Sequence, residues 1–311
     1  MELIRGFQGL KSRHHGSVAT IGNFDGVHLG HQEVLRELTA RARELKLPAT
    51  VVVFEPMALE YFARNQPPAR LTRFGEKWRL LAAAGVEHLL CLRFDRLLAE
   101  MPAESFVERV LVQGLGVRHL TVGDDFRFGR DRRGDFAMLQ QAGRAHGFEV
   151  ADTASLELDG ERVSSSRIRA LLMKGDMQGA ARLLGRPYSL SGRVMYGERL
   201  GRKLGFPTAN LALRRKLAPV GGIFAARVLG LGPEPKDAAA YVGTRPALGG
   251  TQPVLETHLL DFSGDFYGRK ITVELLQHLR EDRHFDSLDA LTAQMRLDVQ
   301  AAQAWLAAHR T

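Results

Sequence analysis

Two histidines three residues apart, His28 and His31, follow Gly22-Asn23-Phe24-Asp25-Gly26-Val27, with Gly30 between them. At that spacing two imidazoles share a face of a helical start, and each can donate to a phosphate oxygen. Glycine at 30 leaves room for a ligand to approach. The apolar run 18–21 reads as a short buried strand, and Gly22 and Gly26 supply a tight turn. Val34, Leu35, Leu38 and Ala42 then recur at helical spacing. A strand, a glycine turn and a helix N-terminus bring free N–H groups and the positive end of the helix dipole together, where a phosphate is held. Two bare histidines would be better explained by a surface turn; the Gly-x-Phe-Asp-Gly-Val string ahead of them favours a site.

Four further stretches carry candidate chemistry. Gly123-Asp124-Asp125-Phe126-Arg127-Phe128-Gly129 follows an apolar run, and Phe54 closes another. Arg162-Val163-Ser164-Ser165-Ser166-Arg167 opens a helical pattern; its serines suit capping, and its hydroxyls and arginines also suit a polyphosphate. Gly201-Arg202-Lys203-Leu204-Gly205-Phe206-Pro207-Thr208-Ala209-Asn210 is either a glycine-rich turn leading into a strand or a phosphate cradle, with Thr208 and Asn210 as oxygen ligands for Mg²⁺. In Leu255-Glu256-Thr257-His258-Leu259, strand periodicity puts Glu256 and His258 on one face.

The elements that must position these groups divide into two kinds. Through the first half, strands expected at 18–21, 50–54, 88–92 and 119–122 alternate with helices at 29–42, 76–84 and 103–112, which indicates βαβ units and an open parallel sheet. Ligands of such sheets sit at the carboxyl ends of the strands. Past residue 186, short runs at 191–196, 223–229, 239–242, 255–261 and 271–276 lie between glycines and prolines, which indicates a small antiparallel barrel. A closing helix is expected over 288–307, with Leu291, Met295, Val299 and Trp305 as its buried stripe. The expected domains are 1–186 and 187–311.

Composition narrows the function class. The 311 residues are 45% hydrophobic and 25% charged, globular values without low complexity. The net charge of +8 favours acidic partners, phosphorylated small molecules among them. Its basic residues are scattered, so nucleic acid is not the expected partner, and an RNA-binding protein is the distant alternative. No apolar run is long enough for a membrane span. A single cysteine, Cys91, and no signal-like start point to the cytoplasm. P-loop, dinucleotide and Gly-x-Ser-x-Gly motifs are absent from the sequence, and the one cysteine rules out a cysteine zinc cluster.

The string Gly22 to His31 resembles the nucleotidylyltransferase signature of the prokaryotic bifunctional riboflavin kinase/FMN adenylyltransferase (FAD synthetase) family. Arg162 to Arg169 resembles that family's second nucleotide motif, with Ser166 for the usual Thr. Gly201 to Asn210 and Leu255 to Phe262 resemble the riboflavin kinase hallmark and its catalytic strand; Ala58 and Ala247 depart from the common pattern. The resemblance implies an N-terminal Rossmann-like nucleotidylyltransferase domain and a C-terminal riboflavin kinase barrel. It implies ATP held by Gly22, Phe24, Asp25, Gly26, His28, His31, Arg162, Ser165 and Ser166 for adenylyl transfer. It implies flavin or nucleotide beside Phe54, Asp125, Phe126 and Phe128. In the kinase it implies ATP at Gly201, Lys203, Gly205, Phe206, Pro207, Thr208 and Asn210, Mg²⁺ at Thr208 and Asn210, and Glu256 as general base. Riboflavin, FMN, ATP, FAD and pyrophosphate are the implied partners; oligomeric state is not implied. A chain keeping one activity, its other domain a flavin-binding regulator, is the nearer alternative.

Overall fold

The computed structural model describes residues 1–63, 66–123, 125–153, 155–196, 205–213, 215–244, 253–260, 264 and 266–310. Its chain forms two compact units, one of Met1–Pro68 with Phe74–Val163, the other of Ala69–Arg73 with Ser164–Thr311. This division falls ahead of the 186/187 boundary expected from the sequence.

In the first unit the elements run β1 (Glu2–Arg5), β2 (Ser17–Ile21), α1 (Leu29–Leu45), β3 (Ala49–Glu55), α2 (Ala58–Phe62), α3 (Phe74–Ala83), β4 (His88–Arg93), α4 (Arg96–Ala99), α5 (Ala103–Phe106), β5 (Val117–Gly123), α6 (Phe136–His146), β6 (Glu149–Thr153) and a small hairpin of β7 (Glu157–Leu158) and β8 (Glu161–Arg162). The main sheet has six parallel strands in the order β1-β4-β3-β2-β5-β6. Val51 and Val53 of β3 pack with Leu35, Leu38 and Leu81 on one face, while Val52 packs with Phe106, Val110 and Leu111 on the other. Helices on both faces leave β2 buried along its whole length, which is why the central strands read as unbroken apolar runs.

Three features differ from expectation. The edge strands β1 and β6 were not visible in the pattern, because each carries charges on a half-exposed ribbon. The helix expected over 103–112 begins as α5 and continues over Val107–Val112 as π-helix. In α3 a lysine, Lys77, is buried to 1% exposure.

The second unit begins with α7 (Ser165–Met173) and α8 (Met177–Leu184), and α8 packs on β9 (Tyr188–Met195). Then come β10 (Thr208–Ala212), β11 (Gly222–Leu229), β12 (Lys236–Gly243), β13 (Val254–Leu259), β14 (Lys270–Arg280) and α9 (Leu288–Ala308). The six strands close a barrel in the order β10-β13-β12-β11-β14-β9, every neighbouring pair antiparallel. Closure removes the exposed edges an open sheet would leave. Helix α9 lays Ala302 and Leu306 on Ala225, Ala239 and Leu260. Of the expected stripe, Val299 and Trp305 pack against this cluster partly buried, while the fully buried line is Asp298, Ala302 and Leu306; Asp298 is admitted because Arg280 meets it with two nitrogens at 2.8 and 2.7 Å.

Candidate functional site

Strands β2 and β5 are neighbours, with β3 and β4 beyond one and β6 beyond the other. Their carboxyl ends thus flank the point where the strand order reverses, the crevice in which open α/β sheets bind ligands. The turn leaving β2 is tightly wound: Phe24, Gly26 and Val27 all have positive φ, at 47°, 86° and 43°. A β-branched residue there is an outlier. Phe24 and Val27, both buried to 2% exposure, are held in place by their packing, so strain is concentrated in the turn between β2 and α1.

His28 is the N-cap of α1, its Nδ1 accepting from the backbone N–H of His31 at 3.3 Å. An accepting Nδ1 leaves Nε2 as the donor. The His31 ring stacks on that of His28, centroids 3.6 Å apart and 19° from parallel, with Phe24 on its other neighbour at 4.9 Å. His31 is half-exposed at its rim, yet its Nδ1 is buried and makes no hydrogen bond among the described residues. Burial holds the His31 imidazole well below the usual histidine range, and the charges of His28, Lys77 and Arg162 depress it further. A Cβ at Gly30 would lie 3.4 Å from the His28 ring, so glycine leaves that face of the ring open. Asp25 is buried to 2%.

Beyond β5, Asp125 accepts from Arg162 Nη1 of β8 at 2.9 Å. The arginine's hydrogen bond keeps the Asp125 carboxyl below its ordinary range. Phe126 stacks on Phe128 at 5.6 Å, Phe128 meets Phe106 at 5.5 Å, and Phe106 meets Phe54 at 6.4 Å. The expected aromatic residues are thus gathered at the strand ends, joined by Phe106, which the sequence reading passed over as a helix residue. Lys77 was passed over too, since a lysine in an amphipathic helix ordinarily faces water.

Ser165 and Ser166 belong to the other unit. Capping of α7 falls to Ser164, whose hydroxyl accepts from the Arg167 N–H at 3.2 Å. The capping explanation therefore covers Ser164, and Ser165 and Ser166 are the first helical residues.

In the barrel, β13 alternates as expected: Leu255, Thr257 and Leu259 are buried, Glu256 and His258 half-exposed. Register adds what spacing could not. Asn210 of β10 is directly opposite Glu256, and Thr208 is opposite His258; residues opposite one another share a face. His258 Nδ1 donates to the Pro207 carbonyl at 3.0 Å, and its ring meets Phe206 edge-on at 5.5 Å. Gly205 has a φ of 87°, where a side chain would be strained. Gly201 and Lys203 lie outside the described residues, as do Ala247, Asp261 and Phe262. Among the described residues no cluster of three or more His, Cys, Asp or Glu could hold a metal, and no helix is long and apolar enough to cross a membrane.

A parallel sheet with stacked histidines at its switch point, in one chain with a closed barrel presenting a carboxylate beside an amide, defines a two-module nucleotide-using transferase. The comparisons name it further. Residues 10–167 match the family model for FAD synthetase, and residues 184–306 that for riboflavin kinase. A bifunctional riboflavin kinase/FMN adenylyltransferase of Escherichia coli (strain K12) is 48% identical over 304 residues, covering 97% of each chain. Its counterpart of Pseudomonas fluorescens is 47% identical over 313 residues, covering 100% of each. A crystal structure titled as a macrolide-efflux protein from Streptococcus pneumoniae aligns with a TM-score of 0.82 at 29% identity, covering 98% of this chain and 100% of that one. The chain belongs to the bifunctional riboflavin kinase/FMN adenylyltransferase family.

Proposed function

We propose that the chain makes FAD from riboflavin in two ATP-dependent steps, one in each module, with 1–186 serving adenylyl transfer and 187–311 phosphorylation. The observation that supports this reading is that His28, His31 and Arg162 lie on a parallel-sheet unit while Glu256, opposite Asn210, lies on a closed barrel of the same chain.

In the barrel, the riboflavin 5′-hydroxyl attacks the γ-phosphorus of ATP, the bond to the β-phosphate oxygen breaks, and FMN and ADP form. An alcohol is a weak nucleophile near neutral pH, so a positioned carboxylate is needed to take its proton. Glu256 has that role. Gly201, Lys203, Gly205, Phe206 and Pro207 hold ATP. Thr208 and Asn210 are hard oxygen donors on one face of β10; Asn210 Nδ2 donates to the Thr208 carbonyl at 3.4 Å, which turns Oδ1 the other way. That donor set suits Mg²⁺, which takes few protein oxygens and completes its shell with phosphate and water. When bound, Mg²⁺ neutralises charge on the transferring phosphoryl.

In the first module, a phosphate oxygen of FMN attacks the α-phosphorus of ATP, the α–β bridge breaks, and FAD and pyrophosphate leave. The nucleophile is already an anion, so no strong base is needed, and positioning and charge neutralisation supply the rate. His28, His31 and Arg162 hold the ATP phosphates; Gly22, Phe24, Asp25 and Gly26 shape the turn that receives them. Phe54, Phe126 and Phe128 receive the flavin beside Asp125. A neutral His31 donates to a phosphate oxygen through one ring nitrogen.

The protein works in the cytoplasm in this reading, where ATP is abundant and a lone thiol stays reduced. Riboflavin, ATP and Mg²⁺ supplied together should yield FMN and then FAD on chromatography. FMN without FAD would leave a kinase with a flavin-binding partner domain, and retention of RNA without flavin turnover would refute both activities.

A further inference from the structure

Glu256 has a neighbour on each side. Asn210 of β10 is opposite it on one flank and Tyr241 of β12 on the other. The three side chains form a row across one face of three strands, with about 5 Å between successive strands. Ala239, two residues before Tyr241 and on the same face of β12, is covered by α9. Tyr241 is half-exposed.

The tyrosine is held in one place. Its hydroxyl donates to Asp282 Oδ2 at 2.7 Å and lies 3.3 Å from the Thr244 carbonyl. Asp282 is itself set by the Arg283 backbone N–H, which donates to Oδ1 at 2.8 Å. The ring passes so close over Gly243 that a Cβ there would collide with the hydroxyl oxygen. Strand β12, the turn after it and the segment after β14 thus converge on one phenol beside Glu256.

In-line phosphoryl transfer keeps the nucleotide and the nucleophile on opposite sides of the phosphorus. With ATP and its metal on the β10 side of Glu256, the alcohol must reach the carboxylate from the β12 side. We infer that Tyr241, oriented by Asp282, is a binding residue for the acceptor, taking a hydrogen bond from the hydroxylated chain of riboflavin and aligning its terminal alcohol on Glu256. Its proton committed to Asp282, the phenol oxygen meets a polyol as an acceptor. This inference rests on the assignment of Glu256 and Asn210 given above.

The test is steady-state phosphorylation by the full chain, with riboflavin and MgATP varied separately. Tyr241→Phe keeps the ring and removes the acceptor. It should raise the KM for riboflavin about fivefold, the worth of one hydrogen bond, and leave the KM for MgATP unchanged. Asp282→Ala, which frees the phenol to turn, should do the same, and the two effects should not multiply in the double variant. Asn210→Ala should raise the KM for MgATP instead. Conversion of FMN to FAD by the same preparations reports that the chain is folded. An unchanged riboflavin KM in Tyr241→Phe, or equal changes for both substrates, overturns the acceptor assignment alone. Undiminished kcat in Glu256→Ala would overturn the reading of the site on which it depends.

Discussion

Arg162 and Asp125 are bonded to each other, guanidinium to carboxylate, at 2.9 Å across the end of the parallel sheet. Both side chains are more than half exposed, so the pair contributes little to stability. Its meaning is geometric: the arginine assigned to phosphate is held over the crevice by an acid that phosphate can replace. Replacing Arg162 by alanine should lower kcat/KM for FAD formation about a hundredfold, the loss of one or two charge-assisted hydrogen bonds. Riboflavin phosphorylation in the same preparation should be unchanged. An equal loss in both reactions would show that Arg162 supports the fold and not the nucleotide.

The two modules should be separable by single substitutions. His28→Ala is expected to abolish conversion of FMN to FAD and spare phosphorylation of riboflavin; Glu256→Ala is expected to do the reverse. Product analysis by chromatography after feeding riboflavin or FMN decides it. If either substitution stops both reactions in a chain that still melts cooperatively, the assignment of one site to each module fails.

His31 makes a pH prediction whose sign is fixed by the direction of its shift. Its folded pKa lies well below the usual histidine value. Above the ordinary value both folded and unfolded chains carry it neutral, and it contributes no slope. Below that value the unfolded chain takes up the proton first, so stability falls as pH drops from the ordinary histidine pKa towards the folded one. Urea unfolding at pH 7.5 and 5.5 should show this loss, and His31→Asn should lose less over the same interval. An identical slope in the variant would place the acid sensitivity elsewhere, His88 being a half-buried imidazole whose pKa burial also lowers.

How much of this could be read from residues alone follows from what buries them. β2 and β3 are covered on both faces, so their valines announce themselves. The alternation of Glu256 and His258 against Leu255 and Leu259 gives β13 directly. Edge strands do not announce themselves: Glu149 of β6 faces solvent and pairs with Arg41 and His119. β10 begins at Thr208, in line with the reading of this stretch as a glycine-rich turn leading into a strand. The burial of Lys77 and Asp298 was unreadable because each is a charged residue in a helix, and only tertiary context buries it. Pairing of Asn210 and Tyr241 with Glu256 is a matter of register, set by barrel closure and not by spacing along the chain.

Arg280 and Asp298 give a stability prediction for the barrel. The pair is doubly bonded and Asp298 is buried to 8% exposure, with Gln294 Nε2 donating to the same carboxylate at 2.8 Å. Removing the arginine leaves a buried carboxylate uncompensated, which costs about 3 kcal/mol. Arg280→Met should therefore loosen α9 and lower the unfolding midpoint of the second unit. The double variant Arg280→Met/Asp298→Leu, which replaces the pair by apolar volume, should recover most of the loss. Full cost in the double variant would mean that the pair orients α9 as well as neutralising itself.

Gly30 separates stability from activity. It lies in the first turn of α1, where alanine is favoured over glycine by about 1 kcal/mol. The added Cβ meets the His28 ring at 3.4 Å and the Val163 carbonyl at 3.7 Å, ordinary contacts that demand no rearrangement. Gly30→Ala should thus fold with equal or greater stability. The same methyl occupies the approach to the stacked histidines, so FAD formation should fall at least tenfold with kinase activity untouched. Thermal melting and the two assays, run on one preparation, check it. A variant as active as the parent would mean that phosphate does not approach His28 over residue 30, and would move the nucleotide to the other face of the imidazole pair.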